Sequence, residues 1–96
     1  MTIWKFALNP RDEVHLLEMP EGTKILDVQI VGGTITPMLW AFADSTRPME
    51  KRRFHTLATG QTVEKDLGLR LEYVGSYQVQ YMAAFHLFEE KVEVGQ

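Results

Sequence analysis

Cysteine is absent from these 96 residues, and with it go disulfides, thiolate metal sites and cysteine nucleophiles. No apolar run approaches the ~20 residues of a membrane-spanning helix. Lys5, Arg11, Asp12 and Glu13 interrupt residues 1–20, where a signal peptide would carry its apolar stretch. An excess of positive charge is also missing. Ten Lys and Arg stand against thirteen Asp and Glu, a net charge of −3. Bulk nucleic-acid binding driven by a basic surface is therefore excluded, although a local basic patch is not. There is no internal repeat, no low-complexity tract and no linker that would divide two domains. These absences lead to the expectation of a soluble cytoplasmic protein without membrane association. It should form one domain over residues 1–96, with residues 90–96 as a frayed tail.

An apolar content of 45% with 10% aromatics is that of a folded chain rather than a disordered one. A domain of this length hides roughly 60–65% of its unfolded surface. With so small a core and no disulfide, self-association is an expected source of extra stability, and the chain reads as a homo-oligomer.

Runs of seven to ten residues followed by turn signals recur along the chain, the pattern of an all-β domain. Residues 2–8 (TIWKFAL) alternate, and Trp4, Phe6 and Leu8 are the larger set, expected inside. Residues 13–19 alternate Val14, Leu16 and Glu18 against His15, Leu17 and Met19, and residues 24–31 set Leu26, Val28 and Ile30 against Asp27 and Gln29. Gly32 and Gly33 accept the positive φ angles of a tight type I′ hairpin turn. Residues 34–43 (TITPMLWAFA) then return antiparallel and are apolar on both faces from Met38 onward, which implies a central strand. Pro37 cannot donate to a ladder and implies an edge or bulge beside it. Residues 49–59 form the next strand, 60–69 a connection with a short helical turn at 64–67, and 70–79 a strand with Leu71, Tyr73, Gly75, Tyr77 and Val79 on one face. Residues 80–92 (QYMAAFHLFEEKV) combine helix formers with a two-residue alternation. A lone helix there would leave the sheet short of a partner, so a strand through about Phe88 is preferred.

The expected architecture is a single antiparallel β-sandwich or partly open barrel of about seven strands. Its expected core is Trp4, Phe6, Leu16, Leu26, Val28, Ile30, Met38, Trp40, Phe42, Phe54, Tyr73, Tyr77, Phe85 and Leu87.

The succession of TIWKFAL, EMPEGTKILDVQI (18–30), LWAFAD (39–44), KRRFHTLATGQTV (51–63), YVGSYQ (73–78) and AFHLFE (84–89) resembles a family of small proteins of uncharacterised function encoded by phages and prophages. The resemblance covers nearly the whole chain. Its most specific elements are the early W-K-F, the E-M-P-E-G-x-K-I-L-x-V block and the T-G before Gln61. Where relatives carry Gly-Thr-Gly before a His, this chain has Ala58-Thr59-Gly60-Gln61, so no role that needs the first glycine or that histidine is implied. The resemblance implies a phage-infected or lysogenic bacterial cytoplasm as the setting. It implies no activity and no functional residues.

The densest chemistry lies in MEKRRFHTLATGQTV (49–63). On a strand, Lys51, Arg53 and His55 share one face at a spacing of roughly 7 Å, while Arg52 lies with Phe54 on the other. Lys51, Arg52, Arg53 and His55, with Thr59 and Gly60 at the strand end, are the candidate anion- or ligand-binding residues. Arginine offers phosphate a planar fork, and Gly60 lets a ligand approach the backbone. Trp40, Tyr73, Tyr77 and Tyr81 are the candidates for stacking a base. The competing reading is structural: such a strand blunts a sheet edge, and its cations pair across strands with Glu18, Glu72 or Glu89.

His15, His55 and His86 have no helical metal-ligand spacing, so no metal site is expected. There is no Gly-x-Ser-x-Gly elbow and no phosphate loop. Alternation and turns place Asp27, Asp44 and Asp66 in solvent, where a carboxyl makes a poor general acid. No catalytic residue and no cofactor are expected. Three functions follow in order. The first is a non-catalytic protein that binds a host or phage protein, with a counter-defence role in that setting. The second is an oligomer that sequesters a nucleotide or another phosphorylated anion on the basic strand. The third is a small hydrolase.

Overall fold

The computed structural model describes residues 1–79 and 83–91. Seven strands and one helical turn follow in chain order: β1 (Thr2–Ala7), β2 (Val14–Pro20), β3 (Lys24–Ile30), β4 (Pro37–Ala43), β5 (Met49–Ala58), α1 (Lys65–Gly68), β6 (Leu71–Gln78) and β7 (Ala84–Glu90). They form two antiparallel sheets, β1-β4-β3 and β2-β5-β7-β6. The two face each other as an open sandwich, as the strand pattern predicts, and do not close into a barrel. Residues 84–90 are strand, not helix. Tyr81 and residues 92–96 of the expected tail lie outside the described residues.

The core between the sheets is Leu8, Met19, Val28, Leu39, Phe54, Tyr77 and Leu87, flanked by Phe6, Leu17, Ile25, Ile30, Val74, Val79 and Phe85. Seven expected core residues are not in it: Trp4 is half-buried beside it, and three different causes account for the other six. In β4 both faces are apolar, and pairing decides which faces in. Trp4 lies opposite Ala41 and Phe6 opposite Leu39, so the bulky inward rings of β1 are accommodated by Leu39, Ala41 and Ala43, all fully buried. Met38, Trp40 and Phe42 therefore face outward. In β2 the inward set is His15, Leu17 and Met19, and Leu16 is 55% exposed. His15 lies opposite the buried Phe54 and is tied to Thr56 Oγ1 by its Nε2 at 2.8 Å, which is what lets a polar ring face the core.

The remaining two, Leu26 and Tyr73, are displaced by β-bulges. The β3–β4 register shifts between Ile25 and Asp27, which turns Ile25 inward and leaves Leu26 exposed. The β6–β7 register shifts between Tyr73 and Gly75, which turns Val74 toward the core and leaves Tyr73 59% exposed. A bulge reverses every side chain beyond it relative to simple alternation.

The β3–β4 hairpin forms, but not with a two-residue type I′ loop. Thr34 N–H donates to Val31 O at 3.1 Å, and of the two glycines only Gly33 has positive φ, at 79°. Type I′ requires positive φ at both central residues, whereas type II requires it at the second alone. Pro37 is the first residue of β4, where its missing N–H is tolerated.

One connection shapes the surface. β5 and β6 both pair antiparallel with β7, which lies between them. Residues 59–70 therefore cross β7, over the outward face of the four-stranded sheet. Thr62, Val63, Glu64 and Leu67 of this crossover cover Val14, His55 and Leu57, enclosing a cleft of about 260 Å³.

Candidate functional site

The strand parity expected for residues 51–55 is present, and it sends the cations to two different fates. Arg52 turns inward beside Phe54. Its Nε and Nη2 donate to the two carboxylate oxygens of Glu89 at 2.6 and 2.8 Å, and its Nη1 donates to Thr23 O at 2.6 Å. Both side chains are largely buried. A bidentate guanidinium–carboxylate pair with its remaining donor satisfied is the geometry a buried ion pair needs. Burial pushes the Glu89 carboxyl up, but the hydrogen bonds and charge of Arg52, with Lys91, bring it below its ordinary value. Lys91 Nζ lies 3.5 Å from Glu89 and 3.2 Å from Glu72.

On the outward face, Lys51 lies opposite Glu18, and Arg53 lies between Leu16 and Glu90. His55 is buried under the crossover, and its Nε2 donates to Glu90 Oε1 at 2.7 Å. Arg70 Nε is 3.6 Å from the other Glu90 oxygen. This hydrogen bond, with the charges around it, holds the Glu90 carboxyl below its ordinary value. Among the described residues, Lys51 and Arg53 make no ion pair or side-chain hydrogen bond. They line a shallow recess of about 340 Å³ with Leu16 and Glu90. The recess is not a cationic pocket. Around it, Lys51, Arg52, Arg53, Arg70 and Lys91 are matched one for one by Glu18, Glu50, Glu72, Glu89 and Glu90.

Thr59 enters a different constellation. Its Oγ1 donates to Ala84 O at 3.4 Å and is hydrogen-bonded to His86 Nε2 at 2.7 Å. The other ring nitrogen of His86, Nδ1, is hydrogen-bonded to Ser76 Oγ at 2.7 Å, and Ser76 Oγ to Tyr73 OH at 2.7 Å. The chain is fully satisfied and ties β5, β7 and β6 together across the outward face. A Ser–His pair occurs in it, but no carboxylate orients the histidine, as nucleophilic catalysis would require. Gly60 has φ of 90° and follows β5 as a turn residue.

The candidates for base stacking are scattered. Tyr77 is in the core, its ring 5.8 Å from Phe85. Tyr73 meets Phe88 edge-on at 5.6 Å on the outward face of the four-stranded sheet. Trp40 is on the outward face of the other sheet, and Tyr81 lies outside the described residues. No two of the described three can hold one base. Among the described residues, no group of three or more His, Asp or Glu side chains is placed to hold a metal ion, and no helix is long and apolar enough to cross a membrane.

Sequence reasoning missed an exposed apolar surface. The outward face of β1-β4-β3 carries Ile3 beside Phe42, and Trp40 beside Lys5. Ile3 is 64% exposed, Leu26 43% and Phe42 37%, while Met38 and Trp40 are half-buried. The signal was the two-faced apolar run of β4: a central strand that is apolar on both faces needs a layer on each side, and among the described residues only one side has a layer. Lys5 and Lys24 flank this face, and among the described residues neither makes an ion pair.

No curated protein and no solved structure matches the chain. A family model does, over residues 1–96. The chain thus belongs to the DUF7352 family, a domain of unknown function.

Proposed function

We propose that this chain is a non-catalytic binding module that docks another protein on the outward face of β1-β4-β3. The observation that carries the reading is the uncovered set Ile3, Leu26, Met38, Trp40 and Phe42 on one sheet face. Contiguous exposed apolar surface of this kind marks interaction sites, and Trp is prominent among residues that dominate binding. Lys5 and Lys24 specify the partner: an apolar contact flanked by carboxylates. Two copies placed face to face would bring lysine toward lysine, which disfavours self-stacking through this face. The phage resemblance supports a host or phage protein of the bacterial cytoplasm as the partner, with counter-defence as the role.

Immobilised wild type and Phe42→Asp are compared in lysate of the source cells. One protein retained by wild type and by Arg53→Ala, but lost from Phe42→Asp and at high salt, is the expected result. Equal retention by all three chains overturns it. A rise in melting temperature with a nucleotide panel, abolished by Arg53→Ala, would move the function to the Lys51–Arg53 recess instead.

A further inference from the structure

The crossover from β5 to β6 roofs the cleft of about 260 Å³ on the outward face of the four-stranded sheet. The roof is pinned at both ends. At its start, Gln61 Nε2 donates to Glu13 Oε1 at 3.0 Å and Ala58 N–H donates to Gln61 Oε1 at 3.0 Å. At its end, Lys91 N–H donates to Arg70 O at 2.7 Å. The cleft is therefore held open by fixed backbone. Val14 and Leu57 from the sheet and Val63 and Leu67 from the crossover supply its apolar wall.

His55 lines this cleft with a side chain that is only 10% exposed. Its Nε2 meets the Glu90 carboxylate at 2.7 Å. An ionised carboxylate only accepts, so Nε2 carries the proton and the neutral ring has its lone pair on Nδ1. Among the described residues nothing donates to that nitrogen. No fully buried side-chain nitrogen or oxygen lacks a partner, so Nδ1 keeps an opening, and the cleft beside the ring supplies it. The bond to Glu90 polarises the ring and strengthens Nδ1 as an acceptor.

The charge around the cleft has one sign. Glu13 and Glu64 line it, and no lysine or arginine does. Among the described residues neither carboxylate makes an ion pair; Glu13 gives one oxygen to Gln61, and Glu64 makes no capping hydrogen bond to α1. Arg70 lies on the far oxygen of Glu90 and Lys65 follows Glu64, but neither reaches the lining. An anion here would meet two carboxylates and a lone pair. A purely apolar guest would leave Nδ1 without a donor, which costs binding. A cation that carries an N–H and a hydrocarbon body satisfies all three features. We propose that this cleft binds a small organic ammonium ion. Its N–H is donated to His55 Nδ1, its charge is balanced by Glu13 and Glu64, and its hydrocarbon lies on Val14, Leu57, Val63 and Leu67. The volume is just below that of pockets for drug-sized ligands, which suits a short-chain amine and not a nucleotide. The site is on the opposite sheet from the protein-docking face and does not depend on it.

Isopentylamine is the probe, titrated at constant pH into the full chain and followed by the amide resonances of residues 61–64. Saturable shifts at roughly millimolar concentration are expected. Isopentanol has the same shape without the charge and should bind about tenfold more weakly, and isovalerate should not bind. Glu64→Lys changes an exposed side chain without a tie to the fold, and should weaken the amine by about tenfold. Val63→Trp fills the cleft from the crossover, leaves the His55–Glu90 pair in place, and should abolish the shifts. Phe42→Asp should bind the amine as wild type does while losing the protein partner, so the two readings fail separately. The proposal is overturned by the absence of saturable shifts, by alcohol or carboxylate binding as tight as the amine's, or by undiminished binding to Glu64→Lys or Val63→Trp.

Discussion

On the outward face of β2-β5-β7-β6, His55 and Arg70 both meet Glu90, and His86 meets Thr59 and Ser76. On the outward face of β1-β4-β3, among the described residues, Lys5 and Lys24 meet no carboxylate, and Ile3, Leu26 and Phe42 meet no second layer. The first face is largely closed by its own chain: a crossover lies over part of it, and its polar groups, Lys51 and Arg53 excepted, are spent on one another. The second is open in the same two respects. The residues that look most chemical in the sequence belong largely to the closed face, and the plainest hydrophobic run forms the open one. Charge density in a sequence therefore says little about function until each charge has been matched with its neighbours.

The comparison can be broken by cutting ties on one side and bare groups on the other. The largest effect should come from the buried pair beneath the closed face. Glu89→Ala strands the Arg52 guanidinium and should cost about 3 kcal/mol, lowering the melting temperature by roughly 12 °C or more. The double variant Arg52→Met/Glu89→Leu should regain most of that loss, because a packed apolar pair needs no charge compensation. A single variant as stable as wild type would show the pair to be dispensable.

Acid should come next, in two stages. Burial holds His15 below its ordinary 6.5, against an opposing pull from Asp12. Below 6.5 the unfolded chain therefore binds a proton that the folded one does not, and stability declines as pH falls from there. Glu89 and Glu90 are both held below their ordinary 4.5. The stability they contribute is complete above 4.5 and is lost as pH falls through their lowered values. Denaturation midpoints measured against pH should show both stages, and His15→Gln should remove only the first.

The smallest effects should come from groups without ties. Lys51→Ala and Arg53→Ala should each change stability by no more than about 0.5 kcal/mol. A larger loss by urea titration would mean that the recess cations are bound into the fold.

The strand framework was legible because most runs alternate and turn signals separate them, and the split of Lys51, Arg53 and His55 from Arg52 and Phe54 followed from the pleat alone. The inward face of β4 was not legible. Alternation says which residues share a face, but gives no sign when both faces are apolar. That choice came from the size match with Trp4 and Phe6 on another strand. Bulges at Leu26 and Val74 leave no mark in composition, so parity carried past them went wrong at Leu26 and Tyr73. Glu89 was among the expected partners of the basic strand. Its pairing with Arg52, 37 residues away, depends on β7 entering between β5 and β6, and no local pattern encodes that order.

That insertion has a consequence for how the chain must fold as it is made. β6 precedes β7 in the sequence, yet among the described residues its only hydrogen-bonded neighbour strand is β7. While residues 84–90 are still inside the ribosome, β6 has no strand to join, and Arg52 has no Glu89 carboxylate to pair with. Local hairpins such as β3–β4 can form early, but the four-stranded sheet closes only when its last strand arrives. Such late, non-local closure is slow. Loss of β7 would remove more than one strand, because it separates β6 from everything else in its sheet.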